Sequence, residues 1–360
     1  MKSRDTLAGA RVIFLHLLVA CGGERTTQGK WEGTPADASI DVFDLGSAYP
    51  TADPDPSGGT MDKPDFGDGG VTGPFTCTGK SGGKGDDALA LVSNGLPRTA
   101  LLHVPSSYDP TAGAMLVLNF HGYTSDALQE LVLTRMNASS DKHGYVVVYP
   151  QGVSRSWNAG ACCGTAWTNR VDDIQFTKDL LARLAKDWCI DPKRIHATGF
   201  SNGGFFSHRI GCEMADVFAS IAPVSGVMGM DPSQCNPLRP IPVLDVHGTA
   251  DPIVPYNGGT PILPVDFGGA PPFRSVSDTL SIWRQKNKCL GQGQSIYSKG
   301  DATCTAYGTC SANVEVVHCK IDGGGHAWPG GVPIPFVGKT SQDISATETM
   351  VSFFNAHPHP

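Results

Sequence analysis

The chain has 360 residues, 40% of them hydrophobic and 17% charged, enough for one large or two small domains. Its net charge of −7 leaves no basic surplus, which excludes nucleic acid as a partner. Glycine and proline are abundant, and much of the excess falls early in the chain.

Lys2, Arg4 and Arg11 precede a short apolar run, Val12 to Ala20, too short to span a bilayer as a mature helix. The run ends in Leu18-Val19-Ala20-Cys21, which resembles a bacterial lipobox. Residues 1–21 are therefore expected to be a lipoprotein signal, with Cys21 lipidated and holding the protein to a membrane outside the cytoplasm. An ordinary secretory signal with an incidental cysteine is the alternative. Residues 22–74 are Gly, Asp, Pro, Ser and Thr with no sustained period and read as a disordered tether. Of the 11 cysteines, 11 − 1 = 10 remain without Cys21, an even number that suits an oxidising compartment. No CxxC pair exists to suggest zinc. Cys162 and Cys163 are adjacent, which suits neither a zinc knuckle nor a mutual bridge, so each is expected to pair at a distance.

From residue 75 to 360 the texture is that of a folded body. "RTALLHVP" and "AMLVLNFHG" read as strands, "DALQELVLTRMNASSDKHG" as a helix closing at Gly144, and "YVVVYPQG" as a buried strand. "DDIQFTKDLLARLAKDW" places Ile174, Leu181, Leu184 and Trp188 close to helical period, and Asp172 and Asp173 start that helix. A strand over 194–200, a helix over 203–214, the strands "FASIAPVSG" and "IPVLDVHG", a helix near 276–287 and the strand "VEVVHCKID" follow. This alternation predicts a mostly parallel sheet with helices on both faces and a ligand site at the carboxyl ends of its strands.

Chemistry concentrates there. In "TGFSNGG" a serine, Ser201, sits between Gly199 and Gly203 where a strand becomes a helix, a turn that holds a nucleophile away from the sheet. A serine hydroxyl needs a base to attack an ester, and the base needs an acid to fix its tautomer. Asp251 follows the strand "IPVLDV", and His326 follows the last strand in "IDGGGHAWPGG", so serine, acid and histidine come in that order. Asp245 is a rival acid within its strand. His121, His247 and the "HPHP" tail are rival bases, and His121 and His247 each have sufficient reason in a strand-end turn. The oxyanion hole needs two backbone N–H groups. Asn202, first in its helix, supplies one; Tyr123 supplies the other, with Gly122 permitting the turn.

"VLNFHGYTSDA", "VVVYPQG", "WNAGACCG", "VDDIQF", "TGFSNGGFFSHRIGCE", "IAPVSG", "VHGTADPIVPYNGG" and "GGGHAWPGG" together resemble the bacterial polyhydroxybutyrate depolymerase and feruloyl esterase group of α/β-hydrolases, from about residue 90 to 355. The resemblance implies the α/β-hydrolase fold and a secreted serine carboxylesterase without cofactor or metal. Its substrates would be hydroxyalkanoate esters, or feruloyl and acetyl esters on plant polysaccharide. It makes Ser201, Asp251 and His326 the catalytic residues, as the residues themselves suggest. Residues 1–74 lack the similarity, and no substrate-binding domain of the kind that solid-polyester depolymerases add follows residue 355, so crystalline polymer is not the expected substrate. Trp157 and Trp328 are candidates for an apolar wall against an aromatic acyl group, or for packing alone. A non-catalytic binding lipoprotein and a peptidase of the same fold are the rival functions.

Residues 293–319 read as two strands, "QSIYSK" through "CTAY" and "VEVVHCKI", with a turn near Gly308. That hairpin sets Cys304 opposite Cys319 and leaves Cys289 for Cys310 at its tip; Cys289–Cys319 with Cys304–Cys310 is the alternative.

Overall fold

A computed structural model describes residues 76–360. The lipobox Cys21, the signal segment and all of the proposed tether lie outside the described residues.

Ten strands form one sheet: β1 (Gly85–Ser93), β2 (Leu96–Val104), β3 (Ala114–Phe120), β4 (Val146–Pro150), β5 (Ile190–Phe200), β6 (Ser220–Val224), β7 (Val243–Gly248), β8 (Gly293–Lys299), β9 (Ala302–Tyr307) and β10 (Val316–Ile321). Their spatial order is β1-β2-β4-β3-β5-β6-β7-β10-β9-β8. The six strands from β4 to β10 pair in parallel, and antiparallel strands extend both edges. The seven helices among the described residues are α1 (Ala127–Thr134), α2 (Met136–His143), α3 (Gly164–Thr168), α4 (Asp173–Asp187), α5 (Asn202–Glu213), α6 (Val276–Lys286) and α7 (Ala346–Ala356).

Period-two alternation explains the two cores. In β3, Leu116, Leu118 and Phe120 face one way and pack with residues of α4, α5 and α6. Met115 and Val117 face the other way, toward α1, α2 and α7. Burying one such side chain completely contributes about 1.5–3 kcal/mol, so both faces of each central strand are held by apolar burial.

The structure departs from the sequence expectation in several elements. The single helix expected over 126–144 is two helices, broken where Arg135 takes φ 53°. Just before the break the Thr134 hydroxyl donates to the Glu130 carbonyl, and just after it Met136 turns fully into the core. The strand expected from 293 through "CTAY" folds back at Gly300 (φ 53°) to become β8 and β9. β1, α3 and α7 are elements for which the sequence gives no expectation.

Cys304 and Cys319 are register partners on β9 and β10 and form a disulfide, as do Cys289 and Cys310. Cys77–Cys189 and Cys212–Cys235 are also bridged. Cys162 and Cys163 pair with each other across a cis peptide, correcting the expectation of distant partners. On an ordinary extended backbone successive side chains point apart, which is why adjacent cysteines do not suggest a mutual bridge.

Candidate active site

β5 ends at Phe200 and α5 begins at Asn202, leaving Ser201 alone on the turn at φ 53°, ψ −117°. A non-glycine residue held there stores about 1–3 kcal/mol of backbone strain, which its surroundings must offset. The Ser201 N–H donates to the Val224 carbonyl at 2.9 Å, and the Ser201 carbonyl accepts the Phe205 N–H at 2.9 Å. The flanking glycines are explained by close approach. A Cβ on Gly203 would sit 1.8 Å from the Phe120 carbonyl oxygen, and one on Gly199 would sit 2.6 Å from the same oxygen. β3 therefore runs against the turn so closely that only hydrogen fits at these two positions.

Asp251 and His326 meet at the same edge of the sheet. Asp251 lies three residues past the end of β7 (251 − 248 = 3), His326 five past the end of β10 (326 − 321 = 5). The His326 Nδ1–H donates to Asp251 Oδ2 at 2.7 Å. Asp251 Oδ1 accepts the backbone N–H groups of Ile253 and Val254, both at 2.8 Å, so Asp251 is also the turn residue of its loop. Burial alone would raise the Asp251 carboxyl, but the charge of His326 and hydrogen bonds from His247 and His326 outweigh it and hold it well below the carboxylate range. Among the described residues no hydrogen bond engages His326 Nε2, which leaves that nitrogen open as a base. Phe200 packs against the imidazole with ring centroids 4.7 Å apart. The glycine run shapes the loop: a Cβ on Gly325 would meet the Val337 carbonyl oxygen at 2.1 Å.

The loop after β3 closes on the serine. A carbon added at Gly122 would lie 3.4 Å from Ser201 Cβ. The Gly122 carbonyl accepts from His121 Nδ1 at 2.8 Å and from the Ser125 N–H at 3.1 Å. Because a trans peptide points N–H opposite to C=O, these bonds also aim the Tyr123 N–H. That N–H has no hydrogen-bond acceptor among the described residues. Asn202 N–H, at the first position of α5, has no intrahelical partner by construction. His121, expected only to sit in a turn, is thus the strut of this loop. Burial lowers its pKa to about 4, and its Nε2 accepts the Gly152 N–H at 3.0 Å, so it is a neutral imidazole.

Other expected residues fall elsewhere. Trp157 and Trp328 are both fully buried and form no wall of an open cleft. Trp157 stacks on Phe206 and Phe176 and donates from Nε1 to the His121 carbonyl at 3.0 Å. Trp328 donates to the Thr347 hydroxyl at 3.0 Å within the opposite core. Each indole has its polar partner inside, so packing decides its position. The Asn202 side chain clamps the Trp157 backbone, accepting its N–H at 2.7 Å and donating to its carbonyl at 3.0 Å. Asp245 is bonded to His318, not to His326. Asp172 caps α4 through the Gln175 N–H, while Asp173 makes a buried ion pair with Arg98 at 2.8 Å. His247, a rival base, donates instead to the Val254 carbonyl at 2.9 Å.

A mostly parallel, helix-covered sheet with a serine turn, an aspartate and a histidine at its carboxyl edge defines the α/β-hydrolase class. No family model matches the chain. Over 237 residues it is 33% identical to feruloyl esterase B of Piromyces equi, covering 64% of this chain and 42% of that protein's length. It is 30% identical over 285 residues to NocK, a protein of Nocardia uniformis subsp. tsuyamanensis named as an esterase, covering 74% of this chain and 81% of that one. An acetyl xylan esterase from Aspergillus awamori shares the fold at a TM-score of 0.52 and 14% identity, over 75% of this chain and 99% of that one. The chain belongs with NocK to a family of esterases, carboxylic ester hydrolases on the α/β-hydrolase fold.

Proposed function

We propose that the protein is an extracytoplasmic serine carboxylesterase, held to a membrane through lipidated Cys21, that hydrolyses feruloyl or acetyl esters of plant polysaccharide. The observation that carries the chemistry is the 2.7 Å bond from His326 to Asp251, with His326 packed on Phe200, the residue before a serine in a strained, glycine-flanked turn. The name of the Piromyces relative supports a feruloyl ester. Five disulfides support an oxidising compartment.

Ser201 Oγ attacks the ester carbonyl carbon while His326 Nε2 takes its proton. The carbonyl oxygen, now an anion, sits between the N–H groups of Tyr123 and Asn202, where the N-terminus of α5 adds its dipole. Asp251 stabilises the imidazolium. The intermediate collapses, the alkoxide leaves with the proton from Nε2, and the acyl group stays on Ser201. Water then gives a proton to Nε2 and its oxygen to the acyl carbon. Collapse of the second intermediate returns the proton to Ser201 and releases the acid.

Ser201→Ala should lower ester turnover by about a thousandfold or more with little change in thermal stability. Retained turnover of p-nitrophenyl esters would defeat the nucleophile assignment, and the binding-protein reading would take its place. A panel of feruloyl, acetyl and hydroxybutyrate esters tests the substrate; turnover of hydroxybutyrate oligomers alone would replace the polysaccharide reading. Fatty-acid labelling that survives Cys21→Ser would reject the anchor.

A further inference from the structure

Beneath the acid loop lies a second carboxylate–imidazole pair that the proposed chemistry does not use. Asp245 and His318 are register partners on β7 and β10. The His318 Nδ1–H donates to Asp245 Oδ2 at 2.7 Å, and both side chains are buried. The other nitrogen of His318 accepts the Tyr256 hydroxyl at 2.8 Å. Tyr256 lies five residues past Asp251 (256 − 251 = 5), on the same loop. The contacts thus run from the floor of the sheet, Asp245, through His318, to the far end of the loop that carries the triad acid. The near end is held by His247, two positions along β7 from Asp245. Its Nε2–H donates to the Val254 carbonyl at 2.9 Å and lies 3.4 Å from Asp251 Oδ2.

Stability does not account for this array. Asp245 Oδ1 and His247 Nδ1 are buried with no hydrogen-bond partner among the described residues. Each such atom loses its hydration without return. Well-packed apolar residues of similar volume are often at least as stable as a buried charged group with its partner. Geometry at Asp251 gives the array a reason. A carboxylate–imidazolium bond is charge-assisted and directional, and it strengthens when the base becomes charged in the transition state. A loop free to shift by a few tenths of an ångström would weaken it at that moment.

We propose that Asp245, His318 and Tyr256 are positioning residues that hold loop 251–256, so that Asp251 Oδ2 stays in line with His326 Nδ1. The inference rests on the Ser201–His326–Asp251 reading. None of the three residues touches a reacting atom, so their effect is on kcat through Asp251.

Tyr256→Phe removes one hydroxyl and keeps the ring. With wild-type thermal stability, kcat should fall about five- to thirtyfold and KM stay within about twofold. His318→Gln should show the same split. In an Asp251→Asn background, adding Tyr256→Phe should change kcat by less than about twofold, because the array acts through a carboxylate already removed. Three results would each overturn the proposal: kcat within about twofold of wild type in Tyr256→Phe, a KM rise with kcat unchanged, or the full loss persisting in the Asp251→Asn background. If His318→Gln does not fold, Tyr256→Phe still decides. An active Ser201→Ala would defeat the triad itself; an inactive Ser201→Ala with an unaffected Tyr256→Phe would defeat this inference alone.

Discussion

Glu130 is a carboxyl group in the wrong place for stability. It lies on the inward face of α1, fully buried, and neither of its oxygens has a hydrogen-bond partner among the described residues. Burial therefore raises its pKa well above the ordinary glutamate value. Folded, it binds its proton more tightly than the unfolded chain does. Its contribution is thus fully present below the unfolded pKa of about 4.3 and is lost as pH rises toward the folded pKa. Across that window, from the unfolded pKa to the folded one, the loss is about 1.4 kcal/mol per pH unit. Glu130→Gln keeps the shape and removes the titration. The two proteins should be close in stability near pH 5 and diverge above it, with the variant ahead at pH 7. At about 2–4 °C per kcal/mol, each pH unit of that window should separate the two Tm values by about 3–6 °C. Urea titrations of both proteins at pH 5, 6, 7 and 8 measure the gap directly, and every other titrating group cancels in the difference. A gap that stays constant across that range would show that Glu130 is ionised in the fold, and the argument from burial would fail.

Asp251→Asn should lower kcat by about a thousandfold to ten-thousandfold with KM little changed, since the amide favours the wrong imidazole tautomer; steady-state kinetics on a p-nitrophenyl ester check it. The Cys304–Cys319 bridge closes a segment of sequence separation 15 and ties β10, which delivers His326, to β9. Replacing both cysteines with serine should remove up to about 3 kcal/mol. On reduction of the wild type, activity should fall before the far-ultraviolet circular dichroism does, because site loops open below the global transition. Loss of both at the same reductant concentration would refute that order.

Local turn chemistry made much of the sheet legible. Each central strand was visible as an apolar run ended by glycine, proline or an Asx residue, and those ends are where Ser201, Asp251 and His326 lie. The failures share a physical pattern. β1 joins β2 through Asn94-Gly95, both at positive φ, which is a strong hairpin signal. β1 is an edge strand in which only Leu89 and Ser93 are buried, too sparse a pattern to read as a strand by alternation. The break at Arg135 carries neither glycine nor proline, so nothing local marks it. Trp157 and Trp328 are decided by partners far along the chain, the His121 carbonyl and the Thr347 hydroxyl, which no window around either tryptophan contains.

The Asp245–His318 pair shows where that limit can be moved. The apolar residues of "VLDVHG" and "VVHCKI" mark buried strands, while Asp245 reads only as a rival acid and His318 carries no expectation. Yet strand parity already constrains them. Val243, Asp245 and His247 share one face of β7, and Val316 and His318 share one face of β10. A strand buried on both faces admits a charge only when something on its own face neutralises it. An aspartate and a histidine at core-facing positions of two such strands are therefore each a demand for a partner, and the parallel register of β7 and β10 places them side by side. The adjacency of the two strands was the one fact the residues alone did not supply. Given it, the second carboxylate–imidazole pair follows from parity and desolvation, and so does its position directly below the loop that carries Asp251.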